Sequence, residues 1–595
     1  MKQNELQELA ENAVLLDLVN ALLQENWMGL TEQGRVTANL DVLHWEEGFE
    51  LEEEERYFQY EVASGSTILF RVRTEQFLQP YKISRLPVLL APLLQPLGAV
   101  ELMRLLGGSA PNLEGFIEDL QTAVEQSALS LAASLDWKDG DHSDMLRWER
   151  FSALRDRPFH PTSRAKQGWN REQYQRYSPE FGEEIALDWV AVRRTHIRHG
   201  EQAGEIAPSV LSVQDQLRLE VAMAKAGASA RTHMAMPVHP WQMEYALPGV
   251  YAKEIEQGIV VPLGLSAGRF AATSSLRALA PLPEGKFHVK VPIGIFSLAA
   301  LRILPLRYLQ NAERAQAVLQ QVIQADPHLC GMLRLCGEER WWGFDDPEGD
   351  FFGDKPGHLA CLIREYPREW LSDKSLQLIA MSTLAVVDWQ GEVPAFEAVR
   401  LQRGGTPVEL FEDIARSFAE MGLSCFRYGL MPEVHGQNVM LAFREGRVAG
   451  VLLRDHDTIR LHLPWLEREG FADPGYVVKP GTPNSLINPT PEKLLSYFQT
   501  LGLQVNLYAI ADAISRAYGI EESVLWGVIR EVVEHCLSVI EFPADVRDVI
   551  ARQLLESPTW PTRTLIGPLL KREGSGGGSM PADTGETENP LLRLT

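Results

Sequence analysis

The sequence predicts a multi-domain α+β protein. Three observations predict it. The chain has 595 residues at 45% hydrophobic composition, more than one core organises, so two to four domains are expected. Apolar residues recur at helical spacing towards both ends. Period-two runs gather in the middle and in one C-terminal hairpin.

In chain order, residues 2–25 place Leu6, Leu9, Ala13, Leu16, Val19 and Leu23 three and four apart, an amphipathic helix. Residues 36–75, with Phe58, Tyr60, Val62, Ile68, Phe70 and Val72, read as strands turning near Gly65. Residues 85–135 return to helical spacing, and the acidic segment Trp137–Asp144 is a first boundary. The middle holds strand-like runs at 271–279 and 287–295, then a helical stretch to about residue 324. The Gly/Asp/Pro-rich loop 343–358 is a second boundary. Helices are expected near 373–386 and 408–421, a hairpin at 439–453, and helices again after about 491. Residues 573–590 have the composition of a flexible linker.

The formal net charge of −24 and pI of about 5.1 disfavour nucleic-acid and membrane partners. Five cysteines without a C-x-x-C pair suit a reducing cytoplasm. No basic-then-apolar leader opens the chain, and no apolar run reaches about 18 residues.

Four segments could carry chemistry. In the first, apolar runs 439–443 and 448–453 flank Arg444-Glu445-Gly446-Arg447, read as a four-residue turn with glycine where positive φ is needed. Antiparallel pairing then sets Asn438 beside Asp455 at the open end, with Glu433 and His435 on the adjoining loop. An amide and a carboxylate so placed can hold Mg²⁺ between nucleotide phosphates, as in protein kinases. A polar hairpin end with solvated acids is the plainer alternative.

In the second, Thr273-Ser274-Ser275-Leu276-Arg277 leads through a turn to Phe287–Ile293. Phe287, Val289, Val291, Ile293 and Ile295 share one strand face and Lys290 takes the other. Pairing across the turn brings Arg277 near Lys290, and Arg302 follows on a helix expected from about Ser297. Ser275, Arg277, Lys290 and Arg302 form a cationic cluster suited to phosphate or carboxylate, unless local acids pair them off. The third segment, Phe159–Gly168, combines His160, Thr162, Ser163, Arg164 and Lys166 in a loop able to wrap a polyphosphate, or merely a solvated turn. The fourth, Met236–Gln242, holds His239 stiffly between two prolines, where a structural role is equally open. There is no Walker phosphate loop, no G-x-S-x-G elbow and no pair of cysteine knuckles.

In order and wording, His160-Pro-Thr-x-Arg-x-Lys-x-Gly168, His239-Pro-Trp-Gln242, Thr273-Ser-Ser-x-Arg277, Lys290, Arg302, His435-Gly-Gln-Asn438 and Arg454-Asp455 resemble the NRPS-independent siderophore synthetases, the IucA/IucC family. The match runs from about residue 150 to the C-terminus. The resemblance implies a cupped hand: a mostly helical thumb (1–145), fingers with a mixed antiparallel sheet (146–375) and a largely helical palm (376–595). It implies ATP and Mg²⁺ as cofactors, a citrate-type carboxylate attacking the α-phosphate, and transfer of the acyl group to an amine or alcohol. It also implies a homodimer.

On that resemblance His160, Thr162, Arg164, Lys166, Ser274, Ser275, Arg277, Lys290, Glu433, Asn438 and Asp455 bind ATP. Asn438, Asp455 and Glu433 position Mg²⁺, while Arg302, His435, Gln437 and His239 contact substrate. Lys290, His435 and Arg302 are the expected catalytic groups. Asp457 adds a second acid beside Asp455. Motif spacing looks closest to members that use free citrate, including the achromobactin type with L-serine as nucleophile. A citrate monoamide or 2-oxoglutarate-type acid, a small-molecule kinase, and a non-catalytic citrate- or nucleotide-binding protein remain the alternatives.

Overall fold

A computed structural model describes residues 2–40, 49–133, 135–138, 144–155, 157–283, 285–298, 300–572 and 584–593. Part of the expected boundary at 137–144 and of the linker at 573–590 lies outside these residues.

The chain is α+β, built around three main hydrophobic clusters. In the first, helices Gln3–Gln24, Ala99–Leu106 and Leu113–Ala132 cover a sequential antiparallel sheet of five strands. Leu18, Leu22, Phe58, Phe70, Met103 and Leu120 fill the space between. The helix reading of 85–135 holds only from Ala99 onward, because Tyr81–Ala91 is a strand of this sheet. Its Leu- and Val-rich run pairs with Thr67–Thr74, and Pro87 falls where the register slips, as a donorless residue must. The C-terminal helix Ile566–Lys571 returns to this layer through Ile566 and Leu570.

The second cluster lies on an eight-stranded, wholly antiparallel sheet. Its spatial order is 197–199, 337–344, 360–365, 287–290, 278–281, 260–272, 184–193, 233–238. The strand expected over 287–295 stops at Lys290, short of Pro292. Phe296–Ser297 and Ala300–Leu301 are short strands, and the helix expected from Ser297 begins at Leu306, after Pro305. Arg302 therefore lies in the connection between the strand Ala300–Leu301 and that helix, with its N–H bonded to Ile295 O at 2.9 Å.

The third and largest cluster combines helices Pro394–Arg403, Pro407–Arg427, Tyr508–Tyr518 and Glu522–Val539 with a four-stranded sheet. The hairpin Val439–Arg444/Arg447–Leu453 is central there. Its turn is tighter than expected: Arg444 pairs with Arg447, leaving Glu445 (φ 51°) and Gly446 (φ 71°), both left-handed as a two-residue type I′ turn requires. The segment expected as a helix over 373–386 is instead a strand, Leu376–Ala380, paired with the hairpin, followed by one helical turn, Met381–Leu384. No described helix is long and apolar enough to cross a membrane.

Candidate active site

The open end of the hairpin faces the eight-stranded sheet, and the chemistry-bearing groups meet there. Val439 pairs with Leu453, so Asn438 and Arg454 flank the ladder and Arg454 N–H bonds Asn438 O at 3.0 Å. The next residue, Asp455, is left-handed (φ 68°), which turns its carboxylate out of the strand path. Lys290 Nζ meets that carboxylate at 2.5 Å and Arg364 Nη2 approaches at 3.7 Å. Burial alone would raise the Asp455 carboxyl, but Lys290, Arg364 and Arg277 hold it well below the usual range. The cations Arg277 and Lys290, adjacent through the Ala278–Lys290 pairing, thus share an anion.

A buried ionic frame fixes this pair. Glu338 accepts Arg364 Nε at 2.5 Å and the Asp455 N–H at 3.0 Å. Glu149 accepts Arg454 Nη1 at 2.5 Å and both the N–H and hydroxyl of Ser274, at 3.1 and 2.5 Å. The Ser274 hydroxyl also accepts Gln437 Nε2 at 3.3 Å, tying the serine turn to the His-Gly-Gln-Asn segment. Ser275 Oγ accepts the Ala278 N–H at 3.2 Å, and Arg277 Nη1 donates to Ile303 O. Glu149, Glu338 and Arg364 carry no local sequence signal; they lie on ordinary amphipathic elements, and only the tertiary pairing marks them.

Asn438 Nδ2 donates to Glu433 Oε2 at 3.0 Å. Burial, Asp455 and Glu433 push Asp457 up to about 7, so acids crowd around the hairpin end. Among the described residues no three acidic, histidine or cysteine side chains form a ready metal cage. Mg²⁺ does not need one: it is commonly held by one or two carboxylates, water and substrate phosphates. Mutually repelling acids with an amide beside them fit that pattern, with Asp455, Asn438 and Glu433 or Asp457 as the donors.

His435 is buried, 5% exposed, at the far side of the same turn. Its Nδ1 accepts the Gln437 N–H at 3.2 Å, which places the proton of the neutral ring on Nε2. Burial, then Arg157, Arg563 and Arg302, hold its pKa well below the ordinary 6.5. Strand Lys166–Gln167 pairs with Phe296–Ser297, which pairs with Ala300–Leu301, stitching the 159–168 loop to Arg302. Within that loop His160 Nδ1 accepts from the N–H and hydroxyl of Thr162, each at 3.3 Å. His160 is pushed down to about 3 by burial, Arg157 and Lys166. Lys166 Nζ donates to Ser163 O at 2.9 Å.

Two expected contacts are directed elsewhere. Arg164 Nη2 meets Glu180 at 2.5 Å and the hydroxyls of Ser130 and Tyr174, so this guanidinium braces the loop from behind. His239 is fully buried, edge-on to Tyr177 at 4.7 Å between ring centroids, and its Nδ1 accepts the Trp241 N–H at 3.2 Å. Gln242 connects its segment to the site's edge, accepting the Gly294 N–H at 2.7 Å. Sequence reasoning missed Arg157 and Arg563, which come from segments without a motif.

The model of the IucA / IucC family matches residues 144–386, and that of the ferric iron reductase FhuF-like transporters matches 416–574. Staphyloferrin B synthase of Staphylococcus aureus is 34% identical over 98% of both chains. Aerobactin synthase of Escherichia coli is 26% identical over 49% of this chain and 52% of its own. Among solved structures, the petrobactin biosynthesis protein AsbB of Bacillus anthracis superposes with a TM-score of 0.80 at 19% identity, covering 99% of this chain and 96% of its own. ATP-bound aerobactin synthetase IucA of Klebsiella pneumoniae superposes with 0.73 at 18% identity, covering 98% and 99%.

Proposed function

The chain belongs to the IucA/IucC family, and from that premise we propose that it is an ATP-dependent ligase of siderophore assembly. It activates a citrate-type carboxylic acid as its acyl-adenylate and passes the acyl group to an amine or hydroxyl. The observation that carries this reading is the chain of contacts that links Lys290 and Asp455, through Arg277 and the Ser274–Gln437 bond, to His435, with Arg302 and the 159–168 loop joined to it by the short strands Lys166–Gln167, Phe296–Ser297 and Ala300–Leu301. A phosphate-binding half and a carboxylate-binding half share one wall.

In the first step a carboxylate oxygen of the acid attacks the α-phosphorus of ATP and pyrophosphate leaves. Lys290 and Arg277 neutralise charge building on the α-phosphate; Ser275 and Lys166 hold the outer phosphates. Bound Mg²⁺ would supply further charge neutralisation from Asp455, Asn438 and the neighbouring acid. Neutral His435 donates from Nε2 to a carboxylate while Arg302 fixes a second one, so the acid is held in line for attack. In the second step the amine nitrogen or hydroxyl oxygen attacks the acyl carbon, AMP leaves, and the nucleophile loses a proton. Citrate is the first acid to test and 2-oxoglutarate the second, with L-serine and diamines as nucleophiles. The assembly is a homodimer in this reading.

The test incubates the protein with ATP, Mg²⁺, hydroxylamine and each acid in turn. Pyrophosphate, AMP and an acyl-hydroxamate appearing with one polycarboxylic acid support the reading. ADP with a phosphorylated acceptor would replace it with a kinase, and nucleotide binding without turnover would leave only a binding protein.

A further inference from the structure

His239 is turned into the core, but the residues behind it bear on the backbone that carries Arg302. Gln242 is fully buried and its amide is occupied at both ends. Oε1 accepts the Gly294 N–H at 2.7 Å; Nε2 donates to His358 O at 2.9 Å and lies 3.1 Å from His358 Nδ1. A backbone N–H can only donate, so Oε1 must face Gly294 and the amide N–H groups must face His358. Burial, opposed by Asp354, lowers the His358 pKa, which leaves Nδ1 an acceptor. A Cβ on Gly294 would meet Gln242 Oε1 at 3.1 Å, Ala246 Cβ at 3.3 Å and His358 Cε1 at 3.5 Å, so a side chain there would push amide and backbone apart.

Residues 293–298 and 300–304 form the hook on which Arg302 sits. The Ile293 N–H bonds Arg302 O at 3.0 Å and the Arg302 N–H bonds Ile295 O at 2.9 Å, one on each side of Gly294. The Leu304 N–H bonds Gly357 O at 2.9 Å, one residue before His358. The turn Lys355–His358 is anchored in its own right: Lys355 Nζ meets Glu254 at 2.6 Å, and the Tyr251 hydroxyl donates to Lys355 O at 2.5 Å. The hook's strands, Phe296–Ser297 and Ala300–Leu301, lie outside the eight-stranded sheet. With so little ladder of its own, the hook takes its place from what grips it.

The backbone that presents Gln242 is stiff. His239 Nδ1 accepts the Trp241 N–H, His239 O accepts the Met243 N–H at 2.9 Å, and Pro240 fixes its own φ between them. Trp241 closes the other side. A Cβ on Gly168 (φ 107°), at the end of the 159–168 loop, would meet Ile295 Cγ2 at 3.3 Å and Trp241 Cζ2 at 3.8 Å. The indole therefore lies where that loop approaches the hook.

We propose that Gln242 is a positioning residue for Arg302, its amide setting the hook so that the guanidinium meets a carboxylate of the acid being activated. Arg302 also acts on His435 through its charge, so displacing the hook separates the two groups that hold the acid. The inference rests on the synthetase reading, in which Arg302 fixes a carboxylate, and extends it to the residue that aims Arg302.

The experiment compares wild type with two variants. Gln242→Met keeps the length of the side chain and removes its hydrogen bonds; Gln242→Glu keeps an acceptor for Gly294 and loses the amide donors. Each is also combined with Arg302→Ala. Pyrophosphate release is measured against citrate at saturating ATP and against ATP at saturating citrate. Misplacing one positioned group predicts that Gln242→Met lowers kcat/KM for citrate by about 10- to 100-fold, with Gln242→Glu intermediate. The KM for ATP should stay within about twofold, and with Arg302→Ala already present Gln242→Met should change kcat/KM by less than about twofold, because the group it aims is gone. Wild-type kinetics in Gln242→Met, an equal loss for ATP and citrate, or an undiminished loss in the Arg302→Ala background overturns the assignment. If Gln242→Met does not fold, the same comparisons are read from Gln242→Glu. A wild-type enzyme that releases no pyrophosphate with any polycarboxylic acid removes the synthetase reading, and the assignment falls with it.

Discussion

At the residue scale the site depends on charges that hold one another in place. Lys290 is kept on Asp455 at 2.5 Å while Arg277 and Arg364 act on the same carboxylate. Replacing Lys290 or His435 with alanine should lower turnover by about a hundredfold or more, the scale of losing one pre-positioned donor to developing charge, in a protein that still folds. Steady-state pyrophosphate release checks this, and wild-type turnover in both variants would remove their roles. Glu149 belongs to the frame instead. Its carboxyl is held at about 2: burial opposes this, but Arg454 and the Ser274 hydroxyl prevail. Glu149→Gln leaves Arg454 buried without its counter-charge and should cost about 3–5 kcal/mol of stability in denaturant titration. Lys290 and Arg277 were legible because pairing across one turn sets them together, whereas Asp455, expected beside Asn438, gives that place to Arg454 and turns through a left-handed backbone to Lys290 instead. Glu149, Arg157 and Arg563 were not, since their roles arise from contacts between segments far apart in the chain.

At the element scale the His435-Gly-Gln-Asn438 turn shows why a short motif can be so restrictive. A Cβ on Gly436 would meet Asn506 Oδ1 at 2.7 Å and the Ser382 backbone nitrogen at 3.0 Å. Its own carbonyl accepts that Ser382 N–H at 3.0 Å. Gly436→Ala must push the turn off the strand Leu376–Ala380 and its following helical turn. The expected result is a larger fall in kcat than in stability, read by comparing turnover with the denaturation midpoint; unchanged kinetics would show that the turn tolerates displacement. The hairpin itself was legible from two apolar runs around a glycine. Its register came out one step tighter, because Glu445 accepts a left-handed backbone and lets Arg444 and Arg447 pair. The helix expected at 373–386 failed for a physical reason: a short apolar run such as Leu376–Ala380 suits either element, and the unpaired edge of the hairpin decided it. Arg302 shifted similarly, since Pro305 fixes where the helix can begin.

At the scale of the whole molecule, several histidines are buried and neutral. Burial pushes His160, His239 and His288 each down to about 3 from an ordinary 6.5. Because these folded-state values are depressed, the unfolded chain takes up the protons more readily. Their contribution is complete above about pH 6.5 and is lost as pH falls towards 3, at about 1.4 kcal/mol per pH unit for each histidine. Stability in denaturant should therefore decline already between pH 6.5 and 5.5, before most carboxylates titrate. A flat profile across that unit would show that the imidazoles are hydrated. The α+β class was legible in the periodicity, while the grouping of the loop at 160–166, Arg302 and His435 was implied only by the resemblance of the motifs to the family. The sheet of the first hundred residues was less so, because its Leu-rich strand imitates helical spacing. The central claim is that a carboxylate oxygen attacks the α-phosphorus of ATP. It is tested most directly by supplying the accepted acid with ¹⁸O-labelled carboxylates and weighing the released nucleotide after acyl transfer. The account predicts AMP carrying one ¹⁸O atom and unlabelled pyrophosphate; label in orthophosphate, or unlabelled ADP as the nucleotide product, would contradict it.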